Sequence, residues 1–109
     1  MAKTITLKYD GAEYTLEFTR KSIETMEKQG FVIGDMGDRP VTMLPMLFSG
    51  AFLAHHRSVR KDIIDKIFDG LTNRDELFQK LAEMYAEPIE ALMDDPEVKE
   101  GNATWGANW

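Results

Sequence analysis

Residues 43–54 are apolar at every position except Ser49, whereas the chain on either side alternates between apolar and charged positions. A helix that is apolar nearly all round is normally buried, and this stretch falls short of the ~20 apolar residues that a bilayer span needs. It is therefore the element on which the amphipathic remainder is expected to pack. Residues 3–18 have the period of two that marks strands. Ile5, Leu7 and Tyr9 alternate with Thr4, Thr6 and Lys8, and Tyr14, Leu16 and Phe18 with Glu13, Thr15 and Glu17. Asp10-Gly11 between the runs predicts a two-residue type I′ turn, because both positions tolerate positive φ. That turn fixes the register: Tyr9 opposite Ala12, Lys8 opposite Glu13, Leu7 opposite Tyr14, Thr6 opposite Thr15 and Ile5 opposite Leu16. One face is then wholly apolar, and the other carries an opposite-charge pair and a threonine pair. A lone hairpin is marginal in water. Its apolar face is expected on helices, with its edges open to another chain.

The helical period follows. A first helix is expected from Thr19 or Arg20 to Gln29, with Ile23 and Met26 inward and Gly30 as the stop. Residues 30–41 hold three glycines and a proline and read as a loop, with Phe31, Val32, Ile33 and Met36 docked on the core or exposed for a partner. The central helix is expected to start with Thr42 as N-cap, to tolerate Pro45 in its first turn and to run to about His56. Ser58 is the expected cap of a third helix whose apolar face is Val59, Ile63, Ile64, Ile67 and Phe68, ending at Gly70. Asn73 with Glu76 resembles a capping box opening a fourth helix. Its stripe, Leu77, Phe78, Leu81, Met84, Tyr85, Ile89, Leu92 and Met93, keeps phase across Pro88, so a kink near Ala86 or Glu87 is expected, with the second half on the same surface. Asp94-Asp95-Pro96 is the expected stop. The expected fold is α+β: an N-terminal two-stranded antiparallel hairpin packed on a bundle of about four helices. Residues 1–96 form the single domain and 97–109 a disordered tail.

Composition narrows the chemistry. The chain has no cysteine, which removes disulfides, thiolate metal sites and cysteine catalysis. The formal net charge of −6 argues against a nucleic-acid partner. The N-terminus lacks the apolar run of a signal peptide, and no membrane span is expected. His55 and His56 are the only histidines. Neighbouring helical positions point about 100° apart and do not chelate one metal, so they read as a helix end favoured by the dipole. Ser49-Gly50 lacks the glycine spacing of a nucleophile elbow. Together with Ala51 and Ala54 it reads instead as a place where another element approaches closely. Gly30, Gly34 and Gly37 do not make a phosphate loop, and Asp35 with Asp38 lacks calcium-loop spacing. No catalytic, metal or cofactor residues are assigned, and the protein is expected to have no enzymatic activity. The acidic series Glu76, Glu83, Glu87, Glu90, Asp94, Asp95, Glu97 and Glu100 reads as a solvated face, or alternatively as the surface of an acidic inhibitor. Both tryptophans, Trp105 and Trp109, lie in the tail. Either they are contact residues for a partner or a ring folds back on its own domain.

The hairpin closed by Asp10-Gly11, the helix entry Leu16-Glu17-Phe18-Thr19-Arg20-Lys21-Ser22-Ile23, the apolar helix of residues 43–57 and the tryptophan-containing tail of residues 101–109 together resemble the small tail assembly chaperones of long-tailed bacteriophages. That resemblance implies a non-catalytic assembly factor in the cytoplasm of the infected bacterium, absent from the mature virion. It implies binding to the tape-measure protein, whose long apolar helix it keeps soluble, recruitment of the tail-tube protein, and self-association. A longer frameshifted product is also common in that family. The methionine-rich segments, Met36, Met43 and Met46 and then Met84 and Met93, suit an adaptable apolar surface. The partner-binding residues expected are Phe31, Met36, Met43, Leu47, Trp105 and Trp109. An adaptor that completes the head–tail joint is the competing expectation.

Overall fold

The structure is a computed structural model that describes residues 3–93 and 105–109. Strands β1 (Ile5–Tyr9) and β2 (Ala12–Leu16) form an antiparallel hairpin with the register anticipated from the Asp10-Gly11 turn. Both turn residues have positive φ, 50° and 80°, as the type I′ geometry requires. Four α-helices follow: α1 (Arg20–Lys28), α2 (Pro40–Gly50), α3 (Lys61–Asp69) and α4 (Arg74–Ala91), with a 3-10 turn at Ile33–Asp35. The α+β architecture is that expected. Residues 105–109 have no regular structure. The anticipated stop at Asp94-Asp95-Pro96 and the tail residues 97–104 lie outside the described residues.

Helix α1 is closed at both ends by local chemistry. The Ser22 amide donates to Thr19 Oγ1 at 3.0 Å, and the Thr19 amide donates to Ser22 Oγ at 2.9 Å. This is a reciprocal capping box with serine in the usual Glu/Gln place. At the other end Gly30 has φ 100°. The Gly30 amide donates to the Glu27 carbonyl and the Phe31 amide to the Met26 carbonyl, both at 3.0 Å. These are the two bonds of a Schellman motif, whose accompanying apolar contact turns the residue after the glycine inward. Phe31 therefore enters the core.

Three helix boundaries differ from expectation. α2 begins at Pro40, not after a Thr42 cap. Proline suits the first helical position, where its missing N–H would have no partner. Pro45 consequently lies inside the helix, where it withholds a donor from the carbonyl of the exposed Val41. The helix stops at Gly50, short of His56, because the hairpin claims its continuation. The Glu17 amide donates to the Ala51 carbonyl at 3.0 Å, and residues 51–55 run on as turns. α3 starts after Arg60, whose guanidinium grips Asp62 at 2.8 Å, and Ser58 caps nothing. α4 starts after Asn73, which sits in the left-handed region at φ 53° and makes no side-chain cap bond. Asparagine tolerates that region. The turn is closed instead by Arg74, whose guanidinium donates to the Leu71 and Asp69 carbonyls at 3.2 and 3.0 Å. It also lies 4.7 Å over the Phe68 ring.

Two aromatic chains join the elements. Tyr14, Phe52, Phe48, Phe68 and Phe78 contact in succession, with centroids 5.3–5.9 Å apart, from the hairpin through α2 to α3 and α4. Phe18 and Phe31 both meet the Tyr85 ring edge-on, at 5.3 and 5.6 Å. At the crossing of α1 and α2, Gly50 makes room for the Met26 side chain. A Cβ there would come within 2.4–2.8 Å of the Met26 side chain, the close approach anticipated from Ser49-Gly50. Among the described residues no helix is long and apolar enough to cross a membrane.

Candidate binding surface

The six residues expected to touch a partner separate into three groups. Phe31, Met43 and Leu47 are 2%, 1% and 0% exposed. They are core residues of this subunit, and the suspected contact face through Met43 and Leu47 is not surface. The reason is local for Phe31, which the Schellman turn directs inward. For Met43 and Leu47 it is tertiary, since α2 packs on both α1 and α3. Met36 is half-buried against the core. Trp105 and Trp109 are 89% and 104% exposed, so neither ring folds back on the domain.

Uncovered apolar surface lies elsewhere. The inward stripe of α4 is buried at Leu81, Met84 and Tyr85, but its continuation is not: Ile89, Leu92 and Met93 are 40%, 52% and 88% exposed. α1 packs beside this end of α4 and turns Ile23 and Met26 into the core. Besides the edge of Ile23, what it offers to the end of α4 is Arg20, Glu24 and Glu27, and charged side chains do not close over an apolar stripe. The result is a cleft of about 280 Å³, with Ile23, Pro88, Ile89 and Leu92 on its walls and those three charges on its rim. A second hollow of about 370 Å³ continues it along Arg20, Pro88, Ala91 and Leu92. An apolar trough with a charged rim fits one side of an amphipathic helix. Lys28 lies 3.0 Å from Glu24 on that rim, and its hydrogen bond and positive charge hold the Glu24 carboxyl below the usual range. Deeper in, Tyr85 has its phenol pushed up by burial, with a smaller contribution from the nearby Glu27 carboxylate.

The cleft was not anticipated, although the sequence held a signal for it. α1 offers only Ile23 and Met26 as large apolar side chains. Two positions do not cover a stripe of eight.

The histidines have structural partners. They lie beyond the end of α2, not at its last turn, so they do not complement its dipole as anticipated. His56 Nε2 accepts from the Thr15 amide at 2.8 Å, and His55 Nε2 lies 2.6 Å from Glu17 Oε1. Both tie residues 51–56 to β2. Among the described residues no group of three or more His, Asp or Glu is placed to hold a metal ion. In the acidic series Glu76, Glu83 and Glu90 are exposed, Glu87 accepts from the Lys3 amide at 3.1 Å, and Asp94, Asp95, Glu97 and Glu100 lie outside the described residues.

A family model described as "Domain of unknown function (DUF5055)" matches residues 1–109. The chain belongs to that family. The DUF5055 match covers hairpin, helices and tail as one unit, so the cleft and both tryptophans lie within it. No curated protein and no solved structure matches the chain.

Proposed function

We propose that this protein is a non-catalytic tail assembly chaperone of a long-tailed bacteriophage, which binds the tape-measure protein, keeps its long apolar helix soluble and promotes tail-tube assembly. The observation that carries this reading is the charge-rimmed apolar cleft between α1 and the end of α4. Ile89, Leu92 and Met93 are uncovered on a helix whose preceding turns are buried, and an exposed apolar patch rimmed by charge marks an interaction site. The exposed Trp105 and Trp109 add two large rings of the kind that anchor interfaces. The net charge of −6 opposes aggregation of a protein that keeps such surface open. The sequence resemblance supplies the identity of the partner, and with it a site of action in the infected cell's cytoplasm.

The test is co-expression with the tape-measure protein encoded beside it. The expected result is a soluble complex that co-elutes, and a tape-measure protein that precipitates when Leu92→Glu replaces the natural chain. Absence of any complex sinks the reading. Retention of the protein in purified virions would favour the head–tail adaptor instead.

A further inference from the structure

The hairpin has two edges, and among the described residues only one is covered. In a hairpin closed by a two-residue turn, Tyr9–Ala12, Leu7–Tyr14 and Ile5–Leu16 exchange backbone hydrogen bonds, while Thr6–Thr15 and Lys8–Glu13 point theirs outward. On β2 the outward groups are used. The Thr15 amide donates to His56, and one residue past the strand the Glu17 amide donates to Ala51. On β1, among the described residues, the Thr6 and Lys8 amides meet no acceptor. Beside that free edge runs a groove of about 410 Å³ floored by Ile5, Leu7, Leu71 and Leu77. Its rim carries both signs of charge, Lys8 and Lys80 with Glu76.

We infer that the β1 edge is an interface for a second copy of this chain, joined antiparallel about Thr6 into a four-stranded sheet. The arrangement is self-complementary, which a two-fold contact demands. Centring on Thr6 pairs Thr6 with the second copy's Thr6, Ile5 with its Leu7 and Thr4 with its Lys8. No like charges are opposed, and apolar residues meet apolar residues on the helix-facing side. Lysine on an edge ordinarily discourages pairing, but Lys8 already stands across from Glu13 in its own hairpin. A groove rim of one sign would repel its own copy, whereas this one carries Glu76 beside its two lysines. Two strands are few for a sheet with one apolar face, and four are better. The edge is distinct from the α1–α4 cleft, so this inference does not depend on the tape-measure reading.

Sedimentation across a concentration series should show a monomer–dimer equilibrium. In the same series the Thr6 and Lys8 amides should exchange rapidly when dilute and slowly when concentrated, while those of Leu7 and Tyr9 stay protected throughout. Thr6→Pro removes a donor that the hairpin does not use, and proline is tolerated on an edge. It should leave the cross-strand contacts intact and raise the dimer dissociation constant at least about tenfold, through loss of the two central hydrogen bonds. A monomer at all concentrations overturns the inference, as does a dimer whose Thr6 and Lys8 amides remain labile. If Thr6→Pro unsettles the hairpin, amide exchange in the natural chain decides alone. Protection that appears only when the tape-measure protein is added would assign the edge to a foreign strand and overturn the second copy as its occupant.

Discussion

Residues 43–52 and residues 89–93 are both apolar-rich segments, and they meet opposite fates. In the first, Met43, Leu47, Phe48, Ala51 and Phe52 are fully enclosed. In the second, Ile89, Leu92 and Met93 stand in solvent. The segments do not differ in kind of side chain. They differ in what their neighbours bring. The first is met by Met26 of α1, by Phe68 of α3 and, at Phe52, by Tyr14 of the hairpin. The end of α4 is met by one apolar side chain, Ile23, and by the charged Arg20, Glu24 and Glu27. Burial is a property of a pair of faces, and half of a pair carries no instruction about where it ends up.

The contrast can be broken most severely at Leu47. Leu47→Glu places a carboxylate in a fully enclosed site, at a cost of at least about 4 kcal/mol. That is a large share of a domain's stability, so loss of the folded circular-dichroism signal is expected. The same change at Leu92 is the control for it below. Gly50→Val comes next. It forces Met26 away from the α1–α2 crossing and should lower stability by about 2 kcal/mol in chemical denaturation.

Tyr85 marks the boundary between the covered and uncovered halves of α4 and gives a pH-dependent test. Its folded pKa is raised above the ordinary value of 10.0 by burial and, less, by Glu27. The folded state therefore holds the phenolic proton more tightly than the unfolded chain does. The stability from this group is fully present below pH 10 and is lost as pH rises through the folded value. Tyr85→Phe should make the loss of stability above that pH shallower, as read by denaturation at stepped alkaline pH. The smallest effect on folding is expected from Leu92→Glu with Met93→Glu. Both sites are exposed, so stability should stay within about 0.5 kcal/mol while tape-measure binding is lost. A double variant that binds normally would move the contact surface away from the cleft.

The hairpin was legible residue by residue because its information is local. Asp10-Gly11 dictates the turn, the turn dictates the register, and alternation then assigns the faces. The start of α1 at Thr19 and its stop at Gly30 were legible for the same reason. The misread boundaries share one cause. Thr42 and Ser58 each have the side chain for a cap, but capping is a competition; Asn73 does stand before α4 as expected, without using its side chain. Pro40 opened α2 earlier, α3 began after Arg60 with no side-chain cap, and Arg74 closed the turn before α4. The end of α2 was not visible from its own residues, since the Ala51 carbonyl is taken by Glu17 from far along the chain.

By itself, the sequence determined the α+β class, the strand register, the caps of α1 and the close approach at Gly50, because each follows from a turn, a period or a missing side chain. Tertiary structure alone decided that the face of the long apolar segment bearing Met43, Leu47, Phe48, Ala51 and Phe52 is enclosed, that the histidines serve the β2 edge, and that, among the described residues, the end of α4 and the β1 edge are left open. Those outcomes depend on which surfaces meet, and a single strand or helix carries only one side of each meeting. Of the residues expected to contact a partner, Phe31, Met43 and Leu47 lie where apolar faces meet and are enclosed, whereas Trp105 and Trp109 are exposed. The cleft lies where apolar density is left without an apolar neighbour.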